Sequence, residues 1–591
     1  MEKVNITING IAISVPKDYT VLMAAKEAGI DIPTLCYLKD VNEVAACRVC
    51  VVEADINGVP MRNLPASCVL QVAEGMNVRT NTQRVRKAVK MNVELILANH
   101  NRECLTCARN QSCELQKLCD ELGLQKERFD GDRREGHIDD FSPSIVRDSS
   151  KCILCGRCVS TCKKVQGIGV LDFTNRGFKT EVAPAFGFSM NNADCILCGQ
   201  CVQSCPVAAL REKNDVQAVW DAIDDPDKFV VVQAAPSVRV GLGEEFGLPV
   251  GTPVTGKMIA ALKRIGFDRV FDTNFSADLT IMEEGTEFIN RVLNGGALPM
   301  ITSCSPGWIR YCEMNYPEFI PNLSTCKSPQ QMFGAMVKSY YSKKFKISRK
   351  TIVSVSIMPC TAKKFECRRP EMEVDGYRDV DYVLTTRELA DMIRQGRLNF
   401  AMLPDEEPDS WMGEGTGAGV IFGATGGVME AAIRTVADVL YNKDLEEFEY
   451  EMVRGLEGVK LATLQLPING EMTDVKVAVA HTAANAAKVL DAVKAGELDV
   501  HFIEIMACPG GCVHGGGQPY VSSKKRLDVN PRIDRAEGLY AEDRRLPFRK
   551  SHHNPEIKAL YSDFLGEPNS HLSHKYLHTT YTKRAKYTDE K

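Results

Sequence analysis

Most cysteines in this chain fall into tight groups whose spacing suits metal-cluster ligands. Cys152, Cys155 and Cys158 form CxxCxxC, with Cys162 four residues further on. Cys195, Cys198 and Cys201 repeat the pattern, and Cys205 precedes Pro206. One tight loop can aim three thiolates at a four-iron cubane, and the fourth must come from elsewhere. In duplicated sites of this kind the fourth ligand crosses over. Cys205 is therefore expected to complete the first site and Cys162 the second. Paired zinc sites also use CxxC, but the third cysteine and the trailing Cys-Pro disfavour them.

Two further groups precede the repeat. Cys36, Cys47, Cys50 and Cys68 follow C-x10-C-x2-C-x17-C, near the plant-type two-iron arrangement; a zinc knot is the alternative. The loop PTLCYL…AACRVCVVE resembles the electron-input domain of large iron–sulfur dehydrogenases. His100, Cys104, Cys107 and Cys113 form HxxxCxxCxxxxxC. A neutral imidazole can replace one thiolate and alter the cluster's potential. Cys119 competes with His100 for that place. Together the groups describe a wire of one [2Fe–2S] and three [4Fe–4S] clusters, and a wire needs something at its end.

Three later segments suit that end: TSCSPGW (302–308), MPCTAKKFE (358–366) and EIMACPGGCVHGGG (504–517). Each sets one or two cysteines on a turn after an apolar strand, among small residues. They resemble the signature segments of [FeFe] hydrogenases, and the resemblance runs over nearly the whole chain. It implies a cubane joined to a two-iron subsite carrying carbon monoxide, cyanide and a dithiolate amine. Cys360, Cys508 and Cys512 match the family's ligands, Cys512 at the bridging position. Lys363 and Ser237 match donors to the cyanides, as a buried anion requires. Met358, Met506, Gln330 and Phe422 match residues packed around the cluster; ordinary core packing is the other reading. Glu284 and Glu287, three apart on an expected helix, share one face. With Ser324 and Cys304 they match the family's proton relay, which works by transfer between groups in hydrogen-bond reach.

One position departs from the family. Its first segment has adjacent cysteines, where this chain has Cys304–Ser305. Counting from Glu284 puts Cys304 in the relay register and Ser305 in the ligand register, although thiolate is the better iron ligand. Either Ser305 ligates, or Cys304 swings in, or one iron stays open. The variant resembles that of multimeric NAD(P)-linked and electron-bifurcating hydrogenases. Cys119, Cys312, Cys326 and Cys367 are expected to be buried free thiols. The late histidines (His552, His553, His571, His574, His578) read as surface groups, a metal site being the other reading.

The elements that must position these residues are those of several domains, because 591 residues exceed one ordinary domain. The 44% apolar and 25% charged fractions are those of a soluble globular protein. A net charge of −5 and the lack of a basic stripe give no case for nucleic acid. The expected fold is a multidomain α/β chain. Residues 1–80 form a [2Fe–2S] ferredoxin-like domain, which the resemblance makes a β-grasp. Residues 81–125 form a small helical His/Cys domain, and 126–215, including a polar linker over 130–144, a bacterial-type two-cluster domain. Residues 216–525 form a large α/β catalytic domain with a mainly parallel sheet. Residues 526–591 form a small-subunit-like segment packed on it, a free tail being the alternative.

Clustered cysteines without a leader or long apolar run place the chain in the cytoplasm, off the membrane. The expected function is reversible H2 oxidation. GxGxxG after a strand is absent, and GEGTGAG (413–419) is a weak lookalike, so no flavin or nucleotide site is expected in this chain. The resemblance implies a flavin-containing NADH-binding iron–sulfur subunit and a small thioredoxin-like [2Fe–2S] subunit as partners. Ferredoxin is a further acceptor, and bifurcation the coupled form. The alternatives are an electron-transfer subunit of a respiratory-type dehydrogenase, which would lack MPCxxKxxE and the final CxxxC, and a hydrogen sensor, which would carry a signalling domain.

Overall fold

The computed structural model describes residues 2–588 except 127, 130 and 447. At the N-terminus, alternation buries Val4, Ile6 and Ile8 on one face of strand Lys3–Ile8. The turn to Ile11–Pro16 uses Asn9 and Gly10, both at positive φ (50° and 85°), the backbone a tight hairpin needs. Three more strands complete a five-stranded mixed sheet under helix Val21–Glu27. Thr20 caps that helix by accepting from the Met23 amide. The loop bearing Cys36, Cys47 and Cys50 follows. Helix Gln83–Ala98 then leads to His100, and helix Glu114–Glu121 starts beside Cys113.

The cysteine repeat is also a backbone repeat. Leu154 and Leu197 take φ 54° and 57°, and Gly156 and Gly199 take 77° and 69°. These left-handed residues wrap each loop so that its amides and thiols face inward. The expected linker begins at Asp130, which lies outside the described residues. Its later part is not a linker, because Ile138–Asp139 pairs with Ile145–Asp148 in a three-stranded sheet closed by Leu210–Glu212.

The catalytic region holds two four-stranded sheets rather than one. In the first, Phe229–Ala234 lies between Arg269–Asp272 and Ile352–Met358, with Tyr382–Thr385 outermost, all parallel. In the second, Met300–Ile301, Phe502–Met506 and Glu471–His481 run parallel, and Val459–Ile468 returns antiparallel. Met300–Ile301, at the edge of the second sheet, spans only two residues. The C-terminal segment is no free tail. Arg535 on helix Pro531–Arg545 pairs with Glu244 at 2.7 Å, and Asp543 with Arg434 at 3.0 Å. No helix among the described residues is long and apolar enough to cross a membrane.

The two-cluster region is bolted to the catalytic one by buried contacts. Thr361 Oγ1 donates to the Leu197 carbonyl at 2.7 Å, and Arg310 Nε to that of Cys195 at 2.7 Å. Arg387 pairs with Glu212 at 2.8 Å. Gly199 sits in this seam, where a Cβ would stand 2.4 Å from Thr361 Oγ1 and 2.9 Å from Gly516 Cα. Gly199→Ala therefore adds a clash to a left-handed backbone that costs an L-residue about 1–2 kcal/mol. The variant should lose its visible cluster absorbance at a lower urea concentration than the parent; an unchanged midpoint would contradict the tight seam.

Candidate active site and electron path

The first expected cubane set converges. Cys152, Cys155, Cys158 and Cys205 line one small cavity. Cys162, Cys195 and Cys198 surround Cys201 closely enough to raise its thiol, after burial has done so. Each loop thus lends one cysteine to the other. Thr161 and Ser204 hydroxyls meet at 2.7 Å between the two short helices. In the N-terminal group the thiols pair, Cys36 with Cys47 and Cys50 with Cys68. The pair contact pushes Cys36 and Cys68 up, and Cys47 and Cys50 down. Two pairs suit two irons.

His100 is 7% exposed and its Nδ1 lacks a partner. Burial, then Lys151, lowers its pKa to about 4, so the ring is neutral, as a metal ligand must be. Cys119 also lies near this group: burial, then Cys113 and Cys104, pushes its thiol up to about 11.

Hydrogen bonds join these sites. Asn42 Nδ2 donates to the carbonyls of Cys36 (2.7 Å) and Cys155 (3.1 Å). Arg109 donates to the Cys205 carbonyl at 3.1 Å. Both N-terminal groups therefore touch the first cubane's loops.

The third group of segments meets where parallel strands end. Ser237 follows Phe229–Ala234, Cys304 follows Met300–Ile301, Cys360 follows Ile352–Met358, and Cys508 follows Phe502–Met506. Ligands gather outside the carboxyl ends of parallel strands because the loops there diverge and leave a crevice. All four residues, with Ser305, Lys363, Cys512 and Cys198, line one cavity. Met358, Met506, Gln330 and Phe422 also line it, each at most 6% exposed. The free Cys360 and Cys508 thiols lie within hydrogen-bond reach of each other. Ser237 Oγ and Gln330 Oε1 are buried without partners. Lys363 Nζ is held by Glu366 at 2.9 Å and reaches the Cys304 carbonyl at 3.1 Å. Thiols, an unpaired hydroxyl and a buried ammonium around an apolar cavity fit an iron–sulfur group bearing anionic ligands.

Cys304 and Ser305 face different neighbours. Ser305 Oγ accepts from the Ala507 amide at 3.1 Å. Burial, then Glu284, pushes the Cys304 thiol well up. Glu284 lies on helix Asn274–Asn294, 1% exposed, with the Ser324 hydroxyl and the Ser303 backbone amide turned to its carboxyl. Ser324 Oγ donates to Glu287 at 2.9 Å, and Arg291 pairs with Glu287 at 2.6 Å. A line runs from the cavity to the partly exposed Glu287 and Arg291.

Three features escaped the sequence reading. Glu366 gathers Lys363, Ser328 and Gln330, although it ends a segment already singled out. Glu504 caps Gly426 and Met429 from a strand, each at 2.7 Å. His578 is not a surface group: it is 9% exposed and bonded to Glu283 (3.1 Å) and Thr325 (2.7 Å). The C-terminal segment buries it, which periodicity could not reveal.

Burial, then Glu287, raises the Glu284 carboxyl to about 8. It is neutral at pH 7 and holds its proton more tightly folded than unfolded. Its contribution to stability therefore falls as pH rises from about 4.5 to about 8. Infrared difference spectra should show a protonated-carboxyl band fading near pH 8, absent in Glu284→Gln. A midpoint near 4.5 would contradict this environment.

Comparison with known proteins agrees with the geometry. Residues 228–516 match the C-terminal domain of the iron-only hydrogenase large subunit, and 529–584 the iron hydrogenase small subunit. Residues 1–83 match a 2Fe-2S cluster binding domain, 90–128 the NADH-ubiquinone oxidoreductase-G iron-sulfur region, and 151–209 a 4Fe-4S dicluster domain. The NADP-reducing hydrogenase subunit HndD of Solidesulfovibrio fructosivorans is 48% identical over 99% of this chain and 100% of its own. Iron hydrogenase 1 of Clostridium pasteurianum is 44% identical over 98% and 100%. The solved structure of a variant of apo HydA1 from Chlamydomonas reinhardtii is 42% identical, with TM-score 0.57, covering 63% of this chain and 100% of that one. The chain belongs to the [FeFe] hydrogenases and catalyses H2 oxidation and proton reduction with iron–sulfur clusters.

Proposed function

We propose that this chain is the hydrogen-converting subunit of an NAD(P)-coupled, electron-bifurcating complex in the cytoplasm. The observation that supports it is the end-to-end similarity to a subunit of an NADP-reducing hydrogenase. A flavin-containing NADH-binding subunit and a small thioredoxin-like [2Fe–2S] subunit exchange electrons with the N-terminal clusters, and ferredoxin takes the second branch. The test supplies the purified complex with H2 and NAD+ alone, ferredoxin alone, and both. Rapid reduction should need both acceptors; brisk reduction of either alone would overturn coupling.

Within the chain, Cys36, Cys47, Cys50 and Cys68 hold the two-iron cluster. His100, Cys104, Cys107 and Cys113 hold the next. The repeat holds two cubanes with Cys205 and Cys162 crossed over. Cys360, Cys508, Cys512 and Ser305 hold the active-site cubane, and the catalytic domain spans 216–525. When bound, the joined two-iron subsite supplies the splitting and forming of H2. Lys363 Nζ and Ser237 Oγ would donate to anionic ligands of that group. The apolar wall of Met358, Met506 and Phe422 excludes water, which strengthens every polar contact inside.

The Cys304 thiol gives its proton to the cavity or takes one from it. Glu284, neutral near pH 7, restores or accepts that proton. Ser324 Oγ passes it to Glu287, whose Arg291 partner stands at the outer end. Cys198, on the second repeat loop, also lines the cavity, the side from which a cluster on that loop would exchange electrons with the bound group.

Cys304→Ser should lower dye-linked H2 oxidation by about 100- to 10,000-fold, the usual share of a positioned acid–base group, with the active-site infrared bands intact. Ser305→Ala should instead perturb the active-site cubane's paramagnetic signal. The opposite pattern would exchange the two roles.

A further inference from the structure

The outer end of the relay, Glu287, meets two side chains that the relay does not use, Cys326 and His578. Cys326 is fully buried, and an isolated antiparallel bridge fixes its backbone to His578. Its thiol donates to Glu287 Oε2 at 3.8 Å. One ring nitrogen of His578, one Glu287 oxygen and Cys326 Sγ lie within 4.8 Å of one another. Thiolate, imidazole and carboxylate together select a soft or borderline divalent ion such as zinc. The charges also balance, since the Cys326 thiolate and the Glu287 and Glu283 carboxylates offset a dication and the Arg291 guanidinium.

A supporting shell is already built. Metal-binding histidines hand their other ring N–H to a carboxylate, which fixes the tautomer and raises ligand basicity. Here His578 Nε2 faces Glu283 Oε2 at 3.1 Å. Glu283 is itself fully buried and clamped by Tyr561 Oη at 2.6 Å and the Asn569 amide at 2.8 Å. That leaves Nδ1 for the ion, once the Thr325 hydroxyl now 2.7 Å away turns aside. Arg291 bonds Glu287 Oε1, so Oε2 is the oxygen facing the cluster.

We propose that Cys326 Sγ, His578 Nδ1 and Glu287 Oε2 form a binding site for one zinc-class divalent cation. Binding releases the Cys326 proton to solvent and changes no oxidation state. The ion takes Glu287 Oε2 from the Ser324 hydroxyl and so cuts the relay at its outer end. The binding claim stands on the cluster alone, whereas the effect on turnover rests on the relay proposed above.

The test adds zinc chloride to the maturated, cluster-loaded protein, removes excess, and combines metal analysis with zinc-edge X-ray absorption. The parent should hold one zinc with a sulfur neighbour that Cys326→Ala and His578→Asn lose, their cluster absorbance unchanged. Glu283→Gln should weaken binding about 10- to 100-fold, the usual effect of losing such a supporting carboxylate. Equal zinc with equal sulfur scattering in the parent, Cys326→Ala and His578→Asn would overturn the site. Zinc should slow H2 uptake by at least about 100-fold in the parent, reversibly on chelation, and leave both variants insensitive. Zinc bound through Cys326 without loss of turnover upholds the site and overturns the place of Glu287 in the relay.

Discussion

Sulfur ligands that water cannot reach impose the constraint on which the rest of this structure depends. A buried anion is costly unless donors or opposite charge surround it. Around the active cavity the protein answers with Lys363, oriented by Glu366, and with turns of small residues whose amides can approach closely. Around the first cubane it answers with Arg157, 2% exposed and paired with Glu114 at 2.9 Å. Around the second, Arg310 donates to the Cys195 carbonyl. None of these cations could be moved to the surface without leaving its loop uncompensated.

The same constraint sets the route of the electrons. Hydrogen bonds hold the cluster loops together where clusters must come close. Asn42 ties the two-iron loop to Cys155, and Arg109 ties the His/Cys segment to Cys205. Both N-terminal cysteine groups thus touch one set of repeat cysteines, and Cys198 of the second repeat loop lines the active cavity. An Arg109 cation stacked 3.6 Å from the Tyr520 ring centre adds a contact between the cluster region and the catalytic one.

Local chemistry was readable from the residues and distant chemistry was not. CxxCxxC can be read because three ligands share one loop, and its duplication implies the crossover that Cys205 makes. Glu284 and Glu287 were readable from helical spacing. The contrast between Cys304 and Ser305 was readable as a register, but not the Ala507 amide that engages Ser305. The division into two sheets was hidden because a two-residue strand carries no pattern. Asn42, Glu366 and the Glu283–His578 pair act through contacts across long stretches of chain, 295 residues for the last. No periodicity links such positions; only the packed C-terminal helices bring His578 to Glu283.

The most direct measurement of the central claim follows isotopes at the maturated chain in ordinary water, under D2 and without any electron acceptor. Splitting in a dry cavity joined to solvent by Cys304, Glu284, Ser324 and Glu287 predicts release of HD and then H2. Unexchanged D2 over a protein whose clusters and active-site infrared bands are complete would contradict the account.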